Sequence, residues 1–130
     1  MGPAQLFDVN TGVCLKTFNE NFRSTDNGQK RAENIIFSNN GLGIALILVG
    51  RTIELWDAIN LTQYSNLSGH RSRVLAASFT PNSELLASAS YYDNVRLWDV
   101  VTGASKGSFD LNGQARDIVW SQDSRVCGTA

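Results

Sequence analysis

An all-β fold of repeated four-stranded antiparallel units is predicted by three observations. A short motif occurs three times, as Leu6-Phe7-Asp8, Leu55-Trp56-Asp57 and Leu97-Trp98-Asp99. A second series keeps step with it: Phe37-Ser38, Phe79-Thr80 and Trp120-Ser121. Phe37 stands 19 residues before Trp56 and Phe79 stands 19 before Trp98, and two marks held at one internal distance signal a structural repeat. Third, short strand-like runs alternate with turn signals, and no helical period is sustained anywhere.

The most complete copy shows each element in turn. Residues 73–79 read as a strand, and Thr80-Pro81-Asn82-Ser83 as a turn in which proline presets the backbone and asparagine tolerates unusual dihedrals. Residues 85–90 form a second strand of small side chains, suited to the narrow part of a tapering core. Residues 91–94 connect to a third strand at 95–100, and Thr102-Gly103 turns into a fourth at 104–109. The same series fits 32–67, with strands at 35–37, 44–49, 53–57 and 63–67. Residues 6–18 supply only a third and fourth strand, and 115–130 only a first and second. Four short antiparallel strands per 40-odd residues, repeated, are the signature of a propeller blade. The division is therefore a half blade at 1–18, an exposed loop at 19–30, blades at 31–67 and 68–109, and a half blade at 110–130. The loop absorbs the irregular spacing: it is polar, rich in turn formers and without period.

Composition limits the partners. Among 130 residues, 11 basic against 12 acidic side chains leave a net charge of −1, which provides no basic stripe for nucleic acid and no polybasic membrane anchor. The longest apolar run, 42–49, is far short of the roughly 20 residues of a membrane helix. No charged and apolar leader is visible, so a cytoplasmic or nuclear chain is expected. Cys14 and Cys127 are expected to be small buried hydrophobes, with no metal or disulfide role. There is no phosphate loop and no nucleophile elbow; Gly41-Leu42-Gly43 lacks the third glycine of a dinucleotide loop and reads as a hairpin turn. No cofactor and no catalytic residue are expected. His70, the only histidine, is assigned a structural role, and Asp8, Asp57 and Asp99 are assigned as turn caps.

The order Gly69-His70, then 85–90, then Leu97-Trp98-Asp99 resembles the WD40 repeat, in which a Gly-His pair precedes a Trp-Asp pair. The resemblance covers two full units and two partial ones, and implies a partial WD40 β-propeller. It also implies a buried polar chain of Trp98, Ser88 and His70 ending on an aspartate. Counted back from Trp98, that aspartate position falls on Tyr92, with Asp93 one residue late, so either a bulge brings Asp93 into reach or the chain ends at His70. In the unit ending at Trp56, Leu46 and Gly50 replace the serine and the aspartate, and packing alone is expected to hold that blade.

The family resemblance implies a non-catalytic scaffold presenting loops to a protein or peptide, on the face formed after second and fourth strands. Phe22, Arg23, Arg51, Arg71, Tyr91 and Tyr92 fall there, and arginine and tyrosine are residue types that often dominate binding energy. An alternative is the ligand-sensing end of a fungal STAND-type signalling NTPase, which residues 97–103 also resemble. A propeller enzyme would need a polar cluster around a central channel, and none is visible. The strand content is that of about three blades, so the remaining blades are expected from a longer chain or from self-association, with two copies making a six-bladed ring.

Overall fold

The computed structural model describes residues 3–18, 31–111 and 113–130. Twelve strands form in these segments. The N-terminal half blade pairs β1 (Gln5–Phe7) with β2 (Cys14–Thr17). The first full blade runs β3 (Ala32–Phe37), β4 (Gly43–Leu48), β5 (Ile53–Asp57) and β6 (Thr62–Leu67), in sequence order and antiparallel throughout. The second repeats it with β7 (Val74–Phe79), β8 (Leu85–Ser90), β9 (Val95–Asp99) and β10 (Ser105–Phe109). The C-terminal half blade pairs β11 (Ile118–Trp120) with β12 (Cys127–Thr129). The strand β3 begins at Ala32, before the expected Ile35, because a register shift between Ala32 and Asn34 lets the pairing with β4 continue. The loop expected at 19–30 lies outside the described residues.

The blades stack face to face, which explains their composition. Along β4, Ile44, Leu46 and Leu48 pack with Leu6 and Phe18 of the preceding half blade, while Ala45 and Ile47 join Val74, Phe79, Leu86 and Trp98 of the following blade. Successive side chains point to opposite faces, so a strand buried on both faces reads as continuously apolar. On β8 the second face carries Ala87 and Ala89, small enough to take Ala115 and Ile118 of the C-terminal half blade.

The turns show why two residue series keep step. Ser38, Thr80 and Ser121 each follow the aromatic residue ending a first strand. Each hydroxyl accepts from the backbone N–H of the next strand's side, Gly43 at 2.9 Å, Leu85 at 3.1 Å and Val126 at 2.9 Å. Each also donates to a side chain two residues on: Asn40, Asn82 and Asp123. The turn after the third strand is capped by aspartate in the same repeated way. Asp8 Oδ1 accepts from the N–H of Asn10 and Thr11, Asp57 Oδ1 from Ile59 and Asn60, and Asp99 Oδ1 from Val101 and Thr102. Consecutive blades are latched at these turns. Asn40 N–H donates to Ser83 Oγ at 3.1 Å, and Asn82 N–H to Ser124 Oγ at 3.2 Å.

The cysteines depart from expectation. Cys14 is exposed on β2, an outermost strand that nothing covers among the described residues, and Cys127 is half-buried. Burial raises the Cys127 thiol above its ordinary pKa.

Candidate functional site

Antiparallel order puts the connections after first and third strands at one end of the blades, and those after second and fourth strands at the other. The second end, called here the loop end, carries the candidate site. Gly69 opens it. Its φ of +150° and the Arg96 guanidinium, 3.1 Å from where a Cβ would stand, both favour glycine there. The chain can then turn inward at His70, whose side chain is 1% exposed.

From His70 a polar chain runs through the blade. The Trp98 indole N–H donates to Ser88 Oγ at 2.8 Å, Ser88 Oγ meets His70 Nε2 at 2.6 Å, and His70 Nδ1 meets Asp93 Oδ2 at 3.3 Å. The donor inventory assigns the direction. A carboxylate only accepts, so Nδ1 carries the proton and donates to Asp93, Nε2 accepts from the Ser88 hydroxyl, and Ser88 accepts from the indole. Every member is satisfied by a neutral imidazole. Burial lowers the His70 pKa, and this outweighs the opposing hydrogen bond and charge of Asp93. For Asp93, burial acts to raise the pKa, but the backbone N–H groups of Arg71 and Asn94, joined by His70, prevail and hold it below the ordinary value.

Asp93, and not Tyr92, therefore ends the chain. No bulge is involved: the β8–β9 ladder is regular from Leu85–Asp99 to Ala89–Val95, and the reach comes from the path of the 91–94 loop. Arg71 N–H also donates to Asp93 Oδ2 at 3.1 Å, tying the loop before the blade to the loop inside it.

The same ties place the tyrosines. Tyr92 N–H donates to Ser72 Oγ at 2.9 Å, Ser72 bonds Ser90 at 3.1 Å, and Tyr91 N–H donates to the Arg73 carbonyl at 2.9 Å. The two rings meet edge to face at 4.3 Å, and Tyr92 is 83% exposed. Hydrogen bonds with Gln114 and then Tyr92 hold the Tyr91 phenol below its ordinary pKa, while Tyr91 raises that of Tyr92. Arg51 Nη1 donates to the Arg71 carbonyl at 3.4 Å. The structure thus brings Arg51, Arg71, Tyr91 and Tyr92 to one end, through loops tied to the polar chain. Phe22 and Arg23 lie outside the described residues.

The first full blade corrects one expectation. Leu46 is fully buried where Ser88 stands in the next unit, yet packing alone does not hold this blade. The Trp56 indole N–H turns to Glu54 and donates to Oε2 at 3.0 Å. Phe18 stacks edge-on at 5.0 Å, and the Lys16 ammonium sits 5.4 Å from the Trp56 ring centre. The signal was present in the sequence: two residues apart on one strand, Glu54 and Trp56 share a face.

Chemically the arrangement serves structure. Both nitrogens of His70 are engaged and its ring is buried, so it is not poised to exchange protons with a ligand. Among the described residues no group of three or more His, Cys, Asp or Glu side chains could hold a metal ion.

Repeated four-stranded antiparallel blades, stacked through apolar faces and latched at their turns, define a segment of a β-propeller. Residues 61–99 match the family model of the WD domain, G-beta repeat. It is similar to the guanine nucleotide-binding protein subunit beta of Schizosaccharomyces pombe, 28% identical over 97 residues, covering 75% of this chain and 30% of that protein. Pre-mRNA-processing factor 19 homolog 2 of Arabidopsis thaliana is 26% identical over 124 residues, covering 95% of this chain and 22% of that one. Among solved structures, the β-propeller domain of Cps50 (Swd1) from Myceliophteria thermophila superposes with a TM-score of 0.61 at 22% identity, over 67% of this chain and 28% of that one, which shows the shared fold. The chain spans less than a third of the length of these relatives.

Proposed function

We propose that this chain is a non-catalytic interaction module whose loop end docks a protein or peptide partner through Tyr91, Tyr92, Arg51 and Arg71. The observation that carries the reading is the Tyr91–Tyr92 pair. An aromatic ring left 83% exposed, on a loop anchored through Asp93, Ser72 and the Arg73 carbonyl, offers rigid contact area at little further loss of conformational freedom. Relatives named as a subunit and as a cofactor of the APC complex support a role in assemblies. The polar chain contributes indirectly, by fixing the loop.

The test is affinity capture with the full chain as bait, beside Tyr91→Ala/Tyr92→Ala and Arg51→Glu/Arg71→Glu. Both double variants are expected to keep the melting temperature within a few degrees, since the side chains are exposed, and to lose captured partner. Equal capture by wild type and both variants would remove the loop end from consideration.

A further inference from the structure

The opposite end of the blades differs in chemistry. Its turns carry Asp8, Asp57, Glu84, Asp99 and Asp123 against Arg125, and Lys106 reaches only Asp99, at 4.0 Å. Five of the twelve acidic side chains thus stand at an end that carries few cations, in a chain whose net charge is only −1. Large apolar side chains stand among them: Val101 is 83% exposed, Ile59 71% and Leu42 56%. Between the two full blades at this end lies a groove of about 320 Å³, lined by Leu42, Tyr64, Val100 and Val101, with Asp57 in its wall. Two inter-blade hydrogen bonds border it and fix its width: Asn40 N–H to Ser83 Oγ at 3.1 Å, and Tyr64 Oη to the Val100 carbonyl at 3.0 Å. Burial, and then the charge of Asp57, raise the Tyr64 phenol above its ordinary pKa. Asp57 Oδ1 is committed to its turn, but no hydrogen bond among the described residues reaches Oδ2.

We propose that this groove is a second docking surface, taking a basic, apolar peptide segment: aliphatic side chains between the blades, and arginine or lysine on Asp57 and Glu84. The occupant follows from complementarity. Apolar surface exposed inside a charged rim marks an interaction site, and the sign of the rim selects a cationic partner and repels an acidic one. The groove lies at the far end of the strands from Tyr91 and Tyr92, so this inference does not depend on docking there.

The test is fluorescence anisotropy on the full chain, with one labelled peptide alternating leucine and arginine and a second alternating leucine and glutamate. Asp57→Asn keeps the acceptor that caps the turn and removes only charge; Glu84→Gln removes charge and keeps an acceptor for the Asn82 side-chain amide. The leucine–arginine peptide is expected to bind and the leucine–glutamate peptide not to bind. The Asp57→Asn/Glu84→Gln double variant should weaken binding about tenfold, raised salt should weaken it further, and Tyr91→Ala/Tyr92→Ala should leave it unchanged. Absent binding of the leucine–arginine peptide, equal binding of both peptides, or undiminished affinity in the charge variant overturns the proposal. So does a loss that follows the tyrosine variant, since that places the peptide at the other end.

Discussion

Replacing Ser88 with alanine removes one oxygen and strands two partners. Ser88 is fully buried, as Trp98 is to within 3%, and the Trp98 indole N–H makes no other hydrogen bond among the described residues. His70 Nε2 loses its donor in the same step. A shift to the other tautomer offers no escape, because it would withdraw the proton that Nδ1 presents to Asp93. An orphaned buried polar group costs about 1–3 kcal/mol, so the pair costs roughly 2–6 kcal/mol. Ser90 supplies an internal control on the same strand and face. It is equally buried, but its hydroxyl meets only Ser72 Oγ, at 3.1 Å, so Ser90→Ala should cost about 1 kcal/mol. Thermal unfolding followed by Trp fluorescence should show a fall of roughly 10 °C or more for Ser88→Ala and about 4 °C for Ser90→Ala. Equal shifts would refute the reasoning, because they would mean that the hydroxyl carries no network.

Three further outcomes follow from the geometry. His70 is the only histidine and its folded pKa lies below the unfolded value of 6.5, so its contribution to stability is complete above that pH and is lost as pH falls below it. Urea titrations between pH 7.5 and 5 should show this as a slope of at most about 1.4 kcal/mol per pH unit, and His70→Gln should flatten it. At Ser83, φ of +62° is tolerated because the hydroxyl latches the preceding blade, so both Ser83→Ala and Ser83→Gly lose the latch, but glycine should be the milder by about 1 kcal/mol in urea midpoints at constant slope. Gly103 has φ of +73° and its hydrogens face Ser65 of the neighbouring blade; Gly103→Ala should destabilise by about 2 kcal/mol, and adding Ser65→Ala should recover at least about 0.5 kcal/mol in a double-mutant cycle.

The strand order and the turn caps were legible because they recur. A residue type that returns every 40-odd positions on a strand end, such as Asp8, Asp57 and Asp99, reports a backbone need that each unit repeats. The two-faced burial of β4 was legible as an unbroken apolar run. Most of what escaped was specific to one unit. Counting along the chain put Asp93 one residue late and left open whether it reaches His70; the 91–94 loop brings it there, and loop paths do not follow from residue counts. The turn to Glu54 by the Trp56 indole replaces the network that Leu46 displaces, a substitution visible only as two residues sharing a strand face. The latches at Ser83 and Ser124 were hidden because serine in a turn has an ordinary local explanation, whereas here its partner is the neighbouring blade.

The proposed function places partner docking on the loop end, which the polar chain of the second full blade holds. Hydrogen–deuterium exchange of the full chain, free and bound to the partner it captures, tests this most directly, because the amides of Arg71, Tyr91 and Tyr92 have defined acceptors in the free fold. Exchange across 69–73 and 91–94 is expected to slow on binding. Unchanged exchange in both stretches, with protection confined to other surfaces, would contradict that placement.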